Sequence, residues 1–173
     1  MTIEVTLTAE AFRRFTLFDT FRRRKMWRSP AIFAAILSAS ACICFLMNHV
    51  DGAVMLGSVL LIIGLGFPAS YFANFSRSVQ KQIKSFGLTT PKKVYTLHLT
   101  KQTDGISVEN EKEQVDYKWE NVYHVYRDKN ATYLYMSAQR GFILPHACTE
   151  DDGAKLWKLL KRTLPERKLT ILK

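Results

Sequence analysis

Charge is missing from two long stretches of this 173-residue chain. Residues 31–47 (AIFAAILSASACICFLM) and 53–75 (AVMLGSVLLIIGLGFPASYFANF) contain no Asp, Glu, Lys or Arg. A helix needs about 20 mostly apolar residues to cross a hydrocarbon core about 30 Å thick. The second stretch reaches that length outright, and the first does once Ser29, Pro30 and Asn48 are added. Hydrocarbon offers no partners to backbone N–H and C=O groups, so each span must bond internally as a helix. Only Asn48-His49-Val50-Asp51-Gly52 lies between them, which leaves room for a tight turn and nothing else. The expectation is a two-helix transmembrane hairpin over residues 30–75. Buried helices of a soluble protein are usually shorter and carry a polar stripe. A cleaved signal sequence is disfavoured, because about 30 residues precede the first apolar stretch.

Lysine and arginine are also missing from the turn. They flank the hairpin instead, as Arg22, Arg23, Arg24, Lys25 and Arg28 before it and Arg77, Lys81 and Lys84 after it. The positive-inside rule then puts both termini in the cytoplasm and the turn outside. Trp27, Tyr71, Phe72 and Phe75 fit an interfacial aromatic belt. Small residues permit close helix approach: Ala34, Ser38 and Cys42, or Ala31, Ala35 and Ala39, on the first helix, and Ala53, Gly57 and Gly64 on the second.

Catalytic and metal-binding patterns are absent too. The chain has no HExxH, GxSxG, Walker loop or GxGxxG, and its four histidines (His49, His98, His124, His146) lack ligand spacing. Three cysteines, Cys42, Cys44 and Cys148, read as small apolar residues. Glu150, Asp151 and Asp152 read as a helix start, favourable to the macrodipole, in preference to a metal cluster. No catalytic, cofactor or metal residue is assigned, and an enzyme is not expected. The alternatives are a hydrolase with an unrecognised site, or a transporter accessory subunit. Charge-free spans argue against a conduction path.

What the chain has in excess is positive charge, +10 overall. Residues 1–29 carry net +4, residues 30–75 net −1 and residues 76–173 net +7. Beside a bilayer such an excess points to anionic headgroups, and no nucleic acid is expected. The candidate lipid contacts are Arg22, Arg23, Arg24 and Lys25 before the hairpin, and Lys155, Lys158 and Lys161 on the last helix.

Outside the spans the period changes. Residues 3–8 alternate as a short strand, after which Thr8 caps a helix to about Met26 with Phe12, Phe15, Phe18 and Phe21 at helical spacing. Residues 76–89 continue as a connecting helix ended by Gly87. Then Tyr95, Leu97 and Leu99 alternate with Thr96, His98 and Thr100. Asp104-Gly105 turns into a strand with Ile106 and Val108, and residues 109–114 form a polar hairpin turn. Val115, Tyr117 and Trp119 share a third strand, followed by strands at 122–126, 131–136 and 141–145. Thr149 is expected to cap a final helix, with Asp152 three residues on. Its stripe of Leu156, Trp157, Leu160 and Leu164 needs burial on the sheet. Trp119, Tyr117 and Pro145 are candidate recognition or core residues. The division is residues 1–29, a strand and basic amphipathic helix; 30–75, the hairpin; 76–89, the connector; and 90–173, a cytoplasmic β domain.

Several motifs stand in a recognisable order after the hairpin: Tyr95 with Asp104-Gly105-Ile106, then Tyr117-Lys118-Trp119-Glu120-Asn121-Val122. Tyr133-Leu134-Tyr135 and Phe142-Ile143-Leu144-Pro145 follow, and then the final helix. In these the chain resembles the YcxB-like family of bacterial membrane proteins. The resemblance implies a pleckstrin-homology-like antiparallel β domain, capped by a C-terminal helix, behind a hairpin anchor in the bacterial inner membrane. It implies no activity, cofactor or catalytic residue. The expected fold is therefore an α+β membrane protein. The expected role is a membrane-anchored interaction or regulatory module, with the lipid bilayer and an unidentified protein as partners.

Overall fold

The computed structural model describes residues 1–47, 49–100, 105–110, 113–149, 151 and 153–172. The chain divides into two compact units, residues 16–85 and a second unit made of residues 1–15 and 86–173.

The first unit is helical. Helix α1 (Ala9–Leu17), which leads into it, opens where Thr8 Oγ1 accepts the amide of Ala11 at 3.2 Å, as its capping role requires. Across Phe18–Arg23 the helix widens into a π-helical turn that ends at Lys25, a non-glycine residue with φ +53°. The periodicity had continued as plain α-helix to Met26. Helices α2 (Arg28–Leu46) and α3 (Ala53–Ser85) form the hairpin. The expected connecting helix is the continuation of α3, a single 33-residue helix that runs through Pro68 and ends at Ser85. At 1.5 Å per residue that helix is about 50 Å long. Val50 N donates to Met47 O and Ala53 N to Val50 O in the turn, where Gly52 takes φ +83°. Asn48 lies outside the described residues.

Gly57 and Gly64 set the helix contact, two turns apart and both buried. A Cβ on Gly57 would stand 3.0 Å from the Phe45 ring and 3.2 Å from Ala41 O. A Cβ on Gly64 would stand 3.1 Å from Leu37 Cβ. Removing these two side chains is what lets α2 approach, the small-residue logic of membrane packing. Large apolar side chains point outward all along the pair, among them Ile36, Ile43, Val54, Met55, Ile62 and Leu65. Both helices are long and apolar enough to cross a membrane.

The second unit holds two four-stranded sheets, ordered β1-β2-β3-β4 and β7-β6-β5-β8. The first joins β1 (Thr2–Leu7), β2 (Lys92–Leu99), β3 (Ile106–Glu109) and β4 (Gln114–Tyr117) in antiparallel neighbours. The second joins β5 (His124–Arg127), β6 (Ala131–Tyr135), β7 (Gly141–Pro145) and β8 (Leu169–Ile171). Alternation is realised as expected on β2, where Tyr95, Leu97 and Leu99 are buried. Tyr95 clasps the two sheets together. Its hydroxyl donates to Ile143 O at 2.6 Å and accepts from Ile143 N at 2.8 Å. Burial pushes its pKa above the usual tyrosine range.

Several expectations are corrected here. The N-terminal strand does not form its own segment with the basic helix; it pairs with β2, across a sequence separation that periodicity cannot see. Strand β8 went unrecognised, since three residues are too few to alternate visibly. It lies parallel to β5, so the second sheet is not purely antiparallel. Trp119 is not on a strand. It opens a 3-10 turn, Trp119–Asn121, and is half-buried, outside the core. Thr149 is not the cap of the last helix, α4 (Ala154–Thr163), whose N-cap is Gly153 at φ +74°. The expected pairing of that cap with Asp152, the turn residue Asp104 and part of the 109–114 turn lie outside the described residues. The apolar stripe of α4 is as read, with Leu156, Trp157, Leu160 and Leu164 all buried.

Candidate binding groove

Strand β1 is at the edge of its sheet, and its register defines what that edge offers. Met1 and Leu99 exchange both main-chain hydrogen bonds, each 2.7 Å. In an antiparallel ladder hydrogen-bonded pairs alternate with non-bonded ones. Ile3↔Leu97 and Val5↔Tyr95 are therefore bonded pairs, and Thr2↔His98 and Glu4↔Thr96 are not. The N–H and C=O groups of Thr2 and Glu4 consequently point away from β2. A register shift follows Val5, and there the edge closes. The Cys148 thiol accepts from Thr6 N at 3.4 Å and donates to Thr6 O at 3.5 Å.

Helix α4 stands across from this edge. It is aimed by a short run of polar contacts built on His146, which is buried. The ring Nδ1 lies 3.0 Å from Lys129 O, an atom that only accepts, so Nδ1 carries the proton and Nε2 accepts from Thr132 Oγ1 at 3.1 Å. Thr149 Oγ1 donates to His146 O and accepts from Gly153 N, both 2.7 Å. A Cβ on Gly153 would strike the His146 ring at 2.6 Å, so glycine is required both for the close approach and for its φ. The thread His146–Thr149–Gly153 thus fixes where α4 begins.

Between β1 and α4 lies a cleft of about 860 Å³. Thr2, Ile3 and Glu4 form one wall, while Lys155, Lys158, Leu159 and Arg162 form the other. The spacing 155, 158, 159, 162 places those four on one helix face. Leu159 is half-buried at the wall, and the three cations are exposed around it. Lys155 pairs with Asp151 at 2.9 Å, and Glu4 with Lys93 at 2.7 Å. Among the described residues, Lys158 and Arg162 have no acidic partner within ion-pair distance. The groove therefore combines an unpaired strand edge, an apolar strip and surplus positive charge.

The other residues singled out in the sequence fall elsewhere. Lys161 is exposed on α4 but does not line the cleft. Arg22, Arg23, Arg24 and Lys25 belong to the other unit. There Asp19 takes Arg23 Nε at 2.5 Å and Arg24 Nε at 2.7 Å, so part of that basic run is neutralised internally. Tyr117 packs edge-on to Phe142 with the Arg140 guanidinium 5.8 Å over its ring, and its buried hydroxyl has no hydrogen-bond partner among the described residues. Trp119 donates from Nε1 to Thr100 O at 3.2 Å. Pro145 is buried and lines a separate cleft with Thr8, Lys129 and His146. These three residues do not converge on one site. A further, apolar cleft of about 520 Å³ is lined by Leu7, Phe12, Phe15, Phe86 and Leu88, with Lys92 and Lys93 at its mouth. Sequence reading found Lys155 and Lys158 but missed the β1 edge, whose exposure depends on register.

Among the described residues, no group of three His, Cys, Asp or Glu side chains is placed to hold a metal ion. Residues 102–156 match the family model described as YcxB-like protein, so the C-terminal region carries a YcxB-like domain. The matched span runs from before β3 into the first turn of α4, and leaves β1 outside it. No curated protein and no solved structure matches the chain.

Proposed function

We propose that this chain is a membrane-anchored interaction module, without catalysis, that holds a pleckstrin-homology-like domain at the cytoplasmic face of a bacterial inner membrane. The hairpin α2–α3 is its two-span anchor. Both termini are cytoplasmic, following the Lys and Arg that flank the hairpin and are missing from its turn. Two four-stranded sheets, with a helix after the seventh strand, suit the pleckstrin-homology-like reading. The observation that carries the proposal is the cleft between β1 and α4, a preformed recognition surface in the unit that the YcxB-like match overlaps.

The test is cross-linking in cells followed by purification in mild detergent. A stoichiometric protein partner, retained by the full chain and lost when residues 1–15 are deleted, is the expected outcome. Purification of the chain with no partner at any cross-linker dose would overturn the interaction reading. A second contact, with anionic headgroups, rests on the exposed Lys155, Lys158, Lys161 and Arg162. Basic side chains near an anionic leaflet contribute roughly 1 kcal/mol each, decaying over a Debye length of about 8 Å.

A further inference from the structure

We infer that the β1–α4 cleft binds an extended acidic peptide, which adds to the first sheet as a fifth strand beside β1. This rests on the interaction reading above and names the partner's chemistry. Three observations converge on it.

The first is the edge itself. Thr2 and Glu4 present outward N–H and C=O groups, which in a globular unit are an invitation to strand addition. The edge is bounded: β2 occupies the inner side and Cys148 takes both main-chain groups of Thr6. A partner strand can therefore bond at Thr2 and Glu4 but not at Thr6.

The second is the opposite wall. An added strand sends alternate side chains to opposite faces. Those on the face turned to α4 meet Leu159, Lys158 and Arg162, which share one helix face. A docked segment with a β-branched residue and an Asp or Glu two positions apart, both on that face, suits this wall. The main chain supplies affinity through the ladder, and the side chains supply selectivity.

The third is charge. Among the described residues, the acidic groups that line the cleft, Glu4 and Asp151, already have lysine partners in Lys93 and Lys155. The remaining cations, Lys158 and Arg162, favour an anionic ligand. They sit 4 positions apart on α4, hence on one face and about one helical turn from each other.

The experiment selects ligands from a displayed library of random twelve-residue peptides against the full chain in nanodiscs. Expected sequences place a β-branched residue and an acidic residue two positions apart. Their binding should fall about tenfold in the double variant Lys158→Glu, Arg162→Glu, because two rim charges reverse. Methylating alternate main-chain nitrogens of a selected peptide should abolish binding, and methylating the others should leave it intact. Glu4→Pro removes one outward N–H while sparing the ladder, since proline is tolerated at a sheet edge. It should weaken binding without altering the far-ultraviolet circular dichroism. Should that variant misfold, the charge-reversed variant and the methylated peptides still decide. No enrichment, binding indifferent to both charge reversal and methylation, or a β1 edge occupied by a second copy of the chain would each overturn the inference. Binding of the wild-type chain to phosphatidylglycerol nanodiscs that competes fully with every selected peptide would assign the surface to lipid instead. A cross-linked partner that persists in the Lys158→Glu, Arg162→Glu variant would refute the groove while leaving the wider interaction reading standing.

Discussion

Ile62 and Leu160 are both aliphatic residues on regular helices, yet Ile62 is 70% exposed and Leu160 is 0% exposed. Ile62 belongs to the hairpin and Leu160 to the sheet unit. The hairpin packs inward through glycine and alanine and points its large apolar side chains outward. The sheet unit does the reverse, with Leu97, Leu134, Leu144, Leu156 and Leu160 inside and Lys, Arg and Glu outside. The same hydrophobic effect cannot stabilise both arrangements in water. Outward apolar faces suit a solvent as apolar as they are, where packing of small residues replaces hydrophobic burial as the force between helices. The difference separates a helix pair long and apolar enough to cross a membrane from a unit whose sequence is constrained by its own core.

The sharpest break in that comparison comes from equal truncations. Leu160→Ala should cost about 2–5 kcal/mol, because it empties a filled site in the core. Ile62→Ala empties nothing and should leave stability nearly unchanged. Chemical unfolding of the full chain in detergent, in a Trp27→Phe background, reads both, with Trp119 and Trp157 fluorescence following the sheet unit and circular dichroism the helices.

Alkaline pH acts next, and on the sheet unit alone. Burial, followed by the nearby Asp128 carboxylate, pushes the Tyr133 phenol up from 10.0 to about 12. The folded state holds that proton more tightly than the unfolded chain. Its contribution, about 2–3 kcal/mol, is fully present below pH 10 and lost as pH rises from 10 through 12. Tyr95 shifts the same way through burial and adds to the loss. Unfolding midpoints measured between pH 8 and 12 should be flat and then fall. A Tyr133→Phe chain should fall less.

Gly57→Val tests the hairpin's side. The added side chain meets Phe45, Cys44 and Ala41 O, so overpacking should cost about 1–3 kcal/mol of helix pairing. Cross-linking of cysteines placed on α2 and α3 should weaken, while tryptophan fluorescence of the sheet unit stays unchanged. The smallest effect concerns His124, whose pKa burial lowers from 6.5. That stabilisation is complete above pH 6.5 and declines as pH falls through the folded value. A modest loss of stability below pH 6.5, removed in His124→Asn, is expected.

Those elements that carry a local signal were legible in the sequence. The hairpin was, because an uncharged apolar run of about 20 residues matches the thickness of a bilayer and exceeds what a soluble core usually needs. So were the faces of β2 and α4, because their periods are unbroken. Trp119 was misplaced because Val115, Tyr117 and Trp119 continue an alternation that the chain abandons at Lys118 for a 3-10 turn. Thr149 was misread because Gly153, four residues on, takes the left-handed conformation that sets the true helix start. The groove was only half legible. Its cationic face follows from the spacing of Lys155, Lys158 and Arg162, but its other wall depends on β1 pairing with a strand about 90 residues later.

Labelling of single cysteines in intact cells tests the division of the molecule most directly. In a chain carrying Cys42→Ala, Cys44→Ala and Cys148→Ser, a membrane-impermeant maleimide should react with Asp51→Cys in the turn without permeabilisation. Gln139→Cys, exposed in the sheet unit, should react only after the membrane is opened. Labelling of Gln139→Cys in intact cells, or equal labelling of both sites, would contradict a bilayer-spanning hairpin that holds the sheet unit in the cytoplasm.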